Sequence, residues 1–420
     1  MQQLRHSAAI LGALSVLSCA AVQAAEWPQY RGLDQSGISK ESITFNWPAD
    51  GPKALWKVPT NTGFSSFAIS GGMALTQVVR DLKNEPREVC LALDAATGKE
   101  RWVADLGVGH GYSGGGDGDG PRSTPTVNGG MVYVCIPDLV MHCLDAATGK
   151  IVWSRNLIQE NKGHNIGWRS AASPVIDGDL VFMAGGGPGE SLLAFNKKTG
   201  KVVWKGQDET ITHSTPVVAT ILGQRQVIFF VQKGLLSVAV NDGRVLWRFP
   251  FKFNVSTAIS PVVSGDIVYC SAGYGVGGGA CKIVEDGNRF AAKELWKIPG
   301  DKLVANHWST PVCKDGYLYG MFCFKKFKTG PLKCVELATG QVKWEQSGFG
   351  QGNVILVGKK LLALSDTGQL VVVDATPAAY KEIARAKAVK GKCWSTPAVS
   401  NGRIYVRSTE EGACFDVAGK

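Results

Sequence analysis

The chain has 420 residues, carries a net charge of +10 and is rich in Gly (52) and Trp (12). Its basic residues are scattered and form no Lys/Arg block, which argues against a nucleic-acid binder; they imply a solvated surface, or at most an affinity for anionic polymers or membrane surfaces. Long helical periodicities are nearly absent, and many glycines between short apolar runs point to many turns between many short strands.

In chain order, residues 1–24 read as a secretory signal peptide. Arg5 and His6 make a basic start, an apolar run covers 8–22, and Val22-Gln23-Ala24 offers a small-residue cleavage site. Cys19, after Val16-Leu17-Ser18, forms a weak lipobox, so a lipid-anchored outer-membrane form is the alternative to a periplasmic or secreted one. The apolar run is too short for a transmembrane span, and no other segment is suited to one. Residues 25–53 form an N-terminal extension. Residues 54–420 are a repeat array.

The repeat is visible in two halves. One half ends each unit: CLALDAATGKERW at 90–102, CLDAATGKIVW at 143–153, LAFNKKTGKVVW at 193–204, VAVNDGRVLW at 238–247 and CVELATGQVKW at 334–344. Trp296 closes a longer, degenerate copy. Trp56 closes an isolated strand near the N-terminus. The other half recurs at Ser123-Thr124-Pro125, Ser173-Pro174, Ser214-Thr215-Pro216, Ser260-Pro261, Ser309-Thr310-Pro311 and Ser395-Thr396-Pro397. Each of these precedes a short apolar strand, a polar or Gly turn and a second strand.

Successive tryptophans 56, 102, 153, 204, 247, 296 and 344 lie 43 to 51 residues apart, the period of one four-stranded propeller blade. Counting units gives an all-β, eight-bladed β-propeller of four-stranded antiparallel blades. The last unit starts at Ser395 and has room for only three strands. Its outer strand is expected from Ala54–Pro59, so that the N-terminal strand closes the ring. Residues 377–389 look helical in isolation, but the repeat places an outer strand there. Asp94 to Gly98 is expected to form a tight hairpin, with Trp102 on the outer strand filling the wedge between blades and its N–H on a backbone carbonyl.

The pattern Ala92, Asp94, Thr97, Gly98, Trp102 resembles the tryptophan-docking motif of pyrroloquinoline quinone (PQQ) dehydrogenases. Near-copies stand at Asp145, Thr148, Gly149, Trp153 and at Asn196, Thr199, Gly200, Trp204. The partial copies at Trp247, Trp296 and Trp344 extend the pattern, and the resemblance covers about residues 54–420. The segment EWPQYRG at 26–32 resembles the start of exported PQQ-like repeat proteins of planctomycete-type bacteria. The compact size is similar to that of BamB-type outer-membrane assembly scaffolds.

The dehydrogenase resemblance implies PQQ and Ca²⁺ in a central funnel, a vicinal Cys-Cys pair, a catalytic Asp and Glu/Asn/Asp calcium ligands on inserted loops. This chain has no Cys-Cys pair, and its loops are lean. The expectation is therefore a non-catalytic binding or scaffold module for a protein, peptide or glycan of the cell envelope. It is expected to be a monomer, with no cofactor, no metal and no catalytic residue. The alternative is a small PQQ-dependent alcohol or sugar dehydrogenase using Ca²⁺.

Local motifs are weaker. Gly111-Tyr112-Ser113-Gly114-Gly115 matches a nucleophile elbow without its strand and helix. Asp117 and Asp119 lack further calcium ligands. The Gly-rich run 275–280 precedes a strand where a dinucleotide fingerprint needs a helix. Cys135/Cys143, Cys270/Cys281 and Cys323/Cys334 stand where they could face each other across hairpins as disulfides, or could pack as small buried thiols. No Cys or His spacing suits zinc.

The residues just before each inner strand should line one funnel mouth. They are Arg122, Trp168, Arg169, His213, Asn306, His307, Trp308, Lys392 and Trp394, a ring of cations and indoles able to hold a planar or anionic ligand. The loop 107–120 could cover that mouth.

Overall fold

The structure, a computed structural model, describes residues 26–109, 120–253, 257–287 and 289–419. The signal peptide, Cys19, the Ser113 elbow, Asp117 and Asp119 lie outside the described residues. The described strands form eight sheets, each with four antiparallel strands in blade order. The eighth blade consists of Ala398–Ser400, Arg403–Arg407 and Glu411–Asp416, with Ala54–Pro59 as its outer strand, paired through Lys57 to Ala413 and Val58 to Gly412. Ring closure by the N-terminal strand leaves the first and last blades without a free seam. Glu382–Lys387, inside the helical-looking stretch, is the outer strand of the seventh blade.

Six of the eight seams are built the same way. Asp94 Oδ1 accepts from the Ala96 and Thr97 amides at 3.0 and 2.9 Å and from the Thr97 hydroxyl at 2.9 Å, which fixes the turn. The indole of the preceding blade then lies on that turn. Trp56 Nε1 donates to Ala95 O at 3.1 Å, Trp102 to Ala146 O at 3.0 Å and Trp153 to Lys197 O at 3.0 Å. Trp204 donates to Val240 O, Trp296 to Leu337 O and Trp344 to Thr376 O, each at 2.8 Å. The turn glycine must be glycine twice over: Gly149 has φ +71°, and a Cβ there would stand 2.6 Å from the Trp102 ring.

Trp247 departs from the pattern. The next blade has no docking turn in the usual place, because its outer hairpin is extended as Gly277–Asp286 and Arg289–Ile298. The Trp247 indole donates instead to Gln226 Oε1 within its own blade, at 2.6 Å.

All ten described cysteines are free thiols, which corrects the disulfide reading for Cys135/Cys143, Cys270/Cys281 and Cys323/Cys334. The register explains it. Cys135 pairs with Met141 while Cys143 faces Tyr133, and Cys270 pairs with Gly279 while Cys281 faces Val268. Cys334 faces Tyr319, and Cys323 lies beyond its strand with Sγ 3.2 Å from Gly350 O. Cys143 and Cys334 occupy the position held by Ala92 in the full motif, opposite the docking tryptophan (Trp153, Trp344 and Trp102 respectively). A small side chain there leaves room for Tyr133 or Tyr319 on one side and the indole on the other.

Hydroxyls of the Ser-Thr-Pro segments form an inter-blade belt around the channel. Thr124 Oγ1 accepts from Ser66 N, Ser173 Oγ from Thr124 N, and Thr215 Oγ1 from Ser173 N, at 2.9–3.0 Å.

The extension 26–53 is a plug. It enters the channel at the end bearing the Thr-Gly turns, where Gly71 N donates to Glu26 Oε1. It then hydrogen-bonds innermost strands in turn. Trp27 bridges Ile69, and Pro28 O accepts from Val127 N. The buried Arg31 guanidinium donates to Gln35 O, Ser36 O, Thr310 O and Pro311 O. Gln35 binds Pro216 O and Val218 N, and Ile38–Ser39 pairs parallel to the innermost strand Asn353–Val357 of the seventh blade. Glu41 then caps Asn401 and Gly402 back at the entry end. The tip, residues 31–36, is level with the starts of the innermost strands and forms the floor of the opposite funnel.

Candidate functional site

In an antiparallel blade the loop between the second and third strands and the linker into the next innermost strand lie at the same end. That end is the funnel mouth. Arg122 Nη1 donates to Trp168 O at 3.0 Å. Trp168 and Arg169 both take left-handed backbone, φ +61° and +58°, which holds the Trp168 side chain 59% exposed. Arg169 pairs with Asp138.

His213 is buried, bonded to the Arg169 backbone and influenced by Arg122 and His307; burial first, then those charges, pull its imidazole down to about 3. His307 is pulled down to about 4 by burial and by Lys325. Its Nδ1 accepts from Gly273 N at 3.2 Å, and its ring lies 5.3, 5.1 and 5.0 Å from Tyr274, Trp308 and Phe324. Both histidines are neutral at pH 7, so the positive charge of this face comes from lysines and arginines.

Trp308 lies 4.8 Å from Trp394, and its Nε1 donates to Gln351 O at 3.3 Å. Trp394 stacks on Phe64 at 4.6 Å and on Phe327 at 5.7 Å. Lys392 Nζ stands 4.8 Å from the Trp394 ring centroid and 5.6 Å from that of Phe327, and Lys325 Nζ is 4.9 Å from Tyr274.

The structure therefore brings together eight of the nine residues read from the sequence. Asn306 is the exception. It is fully buried, its Oδ1 accepting from the Tyr269 hydroxyl at 2.6 Å and its Nδ2 donating to Met321 O at 2.9 Å, so it braces the wall rather than lining it. Phe64, Tyr274, Phe324, Lys325 and Phe327 were missed by the sequence reading. All but Phe64 lie on loops between second and third strands, which that reading did not search. The signal was the run Phe322-Cys323-Phe324-Lys325-Lys326-Phe327-Lys328, aromatic and basic with no acid.

The residues do not fit a quinone–calcium pair. Calcium takes six to eight oxygens, about three of them from carboxylates in charged sites. Among the described residues no group of three or more His, Cys, Asp or Glu converges. Of the carboxylates at this end, Asp366 already accepts through Oδ2 from the Lys328 and Gln351 amides, and Asp138 pairs with Arg169.

Eight blades, with docked tryptophans at six of the seams, define the class: a PQQ-like, quinoprotein-type repeat propeller. The chain belongs to the family described as outer membrane protein assembly factor BamB, whose model matches residues 49–187, 85–308 and 328–417. It is 32% identical over 230 residues to outer membrane protein assembly factor BamB of Bordetella pertussis, covering 52% of this chain and 51% of that one. It is 31% identical over 176 residues to quinohemoprotein alcohol dehydrogenase ADH IIB of Pseudomonas putida, covering 41% of this chain and 23% of that one. The matches thus span about half, or less, of these relatives' own lengths.

Among solved structures, quinohemoprotein alcohol dehydrogenase ADHIIG from Pseudomonas putida HK5 superposes with TM-score 0.63 at 12% identity, over 94% of this chain and 81% of that one. The computationally designed Ika8 protein superposes with TM-score 0.58 at 13% identity, over 87% of this chain and all of its own. Likeness at such identities concerns the fold alone. No helix among the described residues is long and apolar enough to cross a membrane.

Proposed function

We propose that this protein is an exported, non-catalytic binding propeller that engages a protein, peptide or glycan of the cell envelope through its funnel mouth. The observation that carries this reading is the mouth itself: aromatic rings beside cations, over a floor made by the chain's own plug. A pocket lined this way binds by stacking and charge-assisted contacts. The described residues of the mouth offer no converging carboxylates for the quinone's calcium. Membership of the BamB family supports an envelope role, with the chain periplasmic or secreted.

A small PQQ-dependent alcohol or sugar dehydrogenase is the second reading, favoured by the 31% identity to ADH IIB. Calorimetric titration with PQQ, with and without Ca²⁺, together with dye-linked alcohol and sugar oxidation, separates the two. The binding-module reading expects neither saturable quinone binding nor turnover. Stoichiometric, Ca²⁺-dependent binding with turnover overturns it.

A further inference from the structure

Three exposed rings on this face come from three different segments, and two of them have a cation over the ring. Phe327 is 46% exposed with Lys392 above it and Tyr274 is 38% exposed with Lys325 above it; Trp168 is 59% exposed, and Arg122 reaches its segment through the main-chain carbonyl rather than the ring. Large rings left this open at the end of a well-packed propeller mark a recognition surface. The loop 322–331 adds Lys325, Lys326 and Lys328 and contains no acid. Among the described residues none of these three lysines has a carboxylate ion-pair partner, whereas Arg169 is matched by Asp138. This loop is thus aromatic and cationic.

A second observation lies directly under that loop. Gln351 Oε1, Asn353 Oδ1, Asp366 Oδ1 and the Trp394 indole N–H are buried without a hydrogen-bond partner. Gln351, Asn353 and Asp366 are only 2%, 1% and 5% exposed. The four groups belong to one neighbourhood. Asn353 Nδ2 donates to Trp394 O at 2.6 Å, Gln351 N to Asp366 Oδ2 at 3.2 Å, and Lys328 N to the same oxygen at 2.9 Å. Phe327 stacks on Trp394. Leaving such groups unpaired costs about 1–3 kcal/mol each.

We propose that the mouth binds an acidic oligosaccharide, its sugar faces on Phe327, Tyr274 and Trp168 and its carboxylate or sulfate groups at Lys325, Lys392 and Arg122. The inference rests on the reading of the mouth as a binding face and names its ligand class. Three orphan acceptors and one orphan donor call for a partner that both gives and takes hydrogen bonds, as sugar hydroxyls do. A flat aromatic polyacid would set acceptors against acceptors. A protein partner would meet lysines at the centre of the contact, where protein interfaces are depleted of them. Separate rings, two of them under a lysine, suit a chain of charged pyranoses better than one continuous apolar patch.

The test uses the exported chain without residues 1–24, titrated calorimetrically with four probes: a galacturonate hexamer, a chondroitin sulfate hexamer, cellohexaose, and phosphatidylglycerol vesicles. The first two separate carboxylate from sulfate as the anionic source. Saturable binding of either acidic hexamer is expected, weakened about tenfold or more in Phe327→Ala and in Lys325→Ala/Lys392→Ala, with cellohexaose at least as weak. These side chains are at the surface, and circular dichroism establishes that the variants fold. Equal affinity for cellohexaose, or binding of the vesicles in place of the hexamers, overturns the inference. If no hexamer binds but the wild type, and not Phe327→Ala, retains an envelope protein, the saccharide class falls and the mouth stands as the binding face. If the variant retains every envelope component that the wild type does, both fall.

Discussion

Gly149 and Gly223 have nearly the same backbone, φ +71° and +75°, but different surroundings. At Gly223 a Cβ would meet nothing within 4 Å; at Gly149 it would stand 2.6 Å from Trp102 Cε3 and 2.8 Å from Cδ2. Both alanine variants carry the cost of left-handed backbone for an L-residue, about 1–2 kcal/mol. Gly149→Ala also overpacks the seam, which adds about 1–3 kcal/mol. Gly223→Ala should therefore cost about 1–2 kcal/mol and Gly149→Ala about 2–5 kcal/mol. Urea unfolding followed by tryptophan fluorescence and by far-ultraviolet circular dichroism measures the difference. In the double variant Trp102→Ala/Gly149→Ala the costs should be markedly less than additive, because the clash has been removed. Equal costs for the two glycines, or strict additivity in the double variant, would refute the idea that each glycine is required by the indole lying on it.

Arg31→Met removes the donor from four carbonyls in the channel, at a cost of about 1–3 kcal/mol for each one left buried and unpaired. Hydrogen exchange should then accelerate at the amides of Val127 and Val218, which bond the plug, while Gly149 N, bonded to Asp145 O, stays protected. Unchanged exchange at both plug amides contradicts the plug's role. The imidazoles of His142, His213 and His307 are pulled to about 4, 3 and 4 by burial, against an ordinary value of 6.5. The unfolded chain binds more protons between those values, so their contribution is present above about pH 6.5 and is lost as pH falls towards about 4. For His307 it is on the order of 3 kcal/mol across that window. The melting temperature should begin to fall between pH 6.5 and 5, before the carboxylates titrate, and a flat profile there would be inconsistent with buried neutral imidazoles. Because nine of the ten described cysteines are buried and Cys313 is half-buried, a thiol reagent should label no more than Cys313 before denaturant is added. Reductant should leave the melting temperature unchanged, and a mass two hydrogen atoms lighter per pair would show that disulfides form.

The architecture was legible because each blade writes its own punctuation. Asp94, Thr97, Gly98 and Trp102 are a turn and the ring that lies on the next one, and repetition turned a local pattern into a count of blades. It even overruled local propensity at Glu382–Lys387. What failed was whatever depended on register or on the next blade. Cys135 and Cys143 are close in sequence and share a hairpin, but the pairing offsets them by two residues. Trp247 has the spacing of a docking residue, but the blade it would dock on has an extended hairpin in place of the turn. Phe324 and Phe327 were missed because only the linkers into inner strands were searched, while an antiparallel blade sends two loops to each end.

The extension 26–53 gave the least away in sequence and bears most on the difference between the two ends of the channel. Arg31 and Gln35 have no repeat partner and no periodicity, so nothing in a blade-by-blade reading assigns them a place. In the structure they bind the sixth and fourth blades from inside the channel, and neighbouring residues bind the first, second and seventh. One end of the propeller is thereby closed by the chain itself. The other end carries Phe327, Tyr274 and Trp168 as exposed rings, with Lys392 and Lys325 over the first two. The asymmetry of the two ends, and not the propeller fold, is what directs the search for a partner to that face.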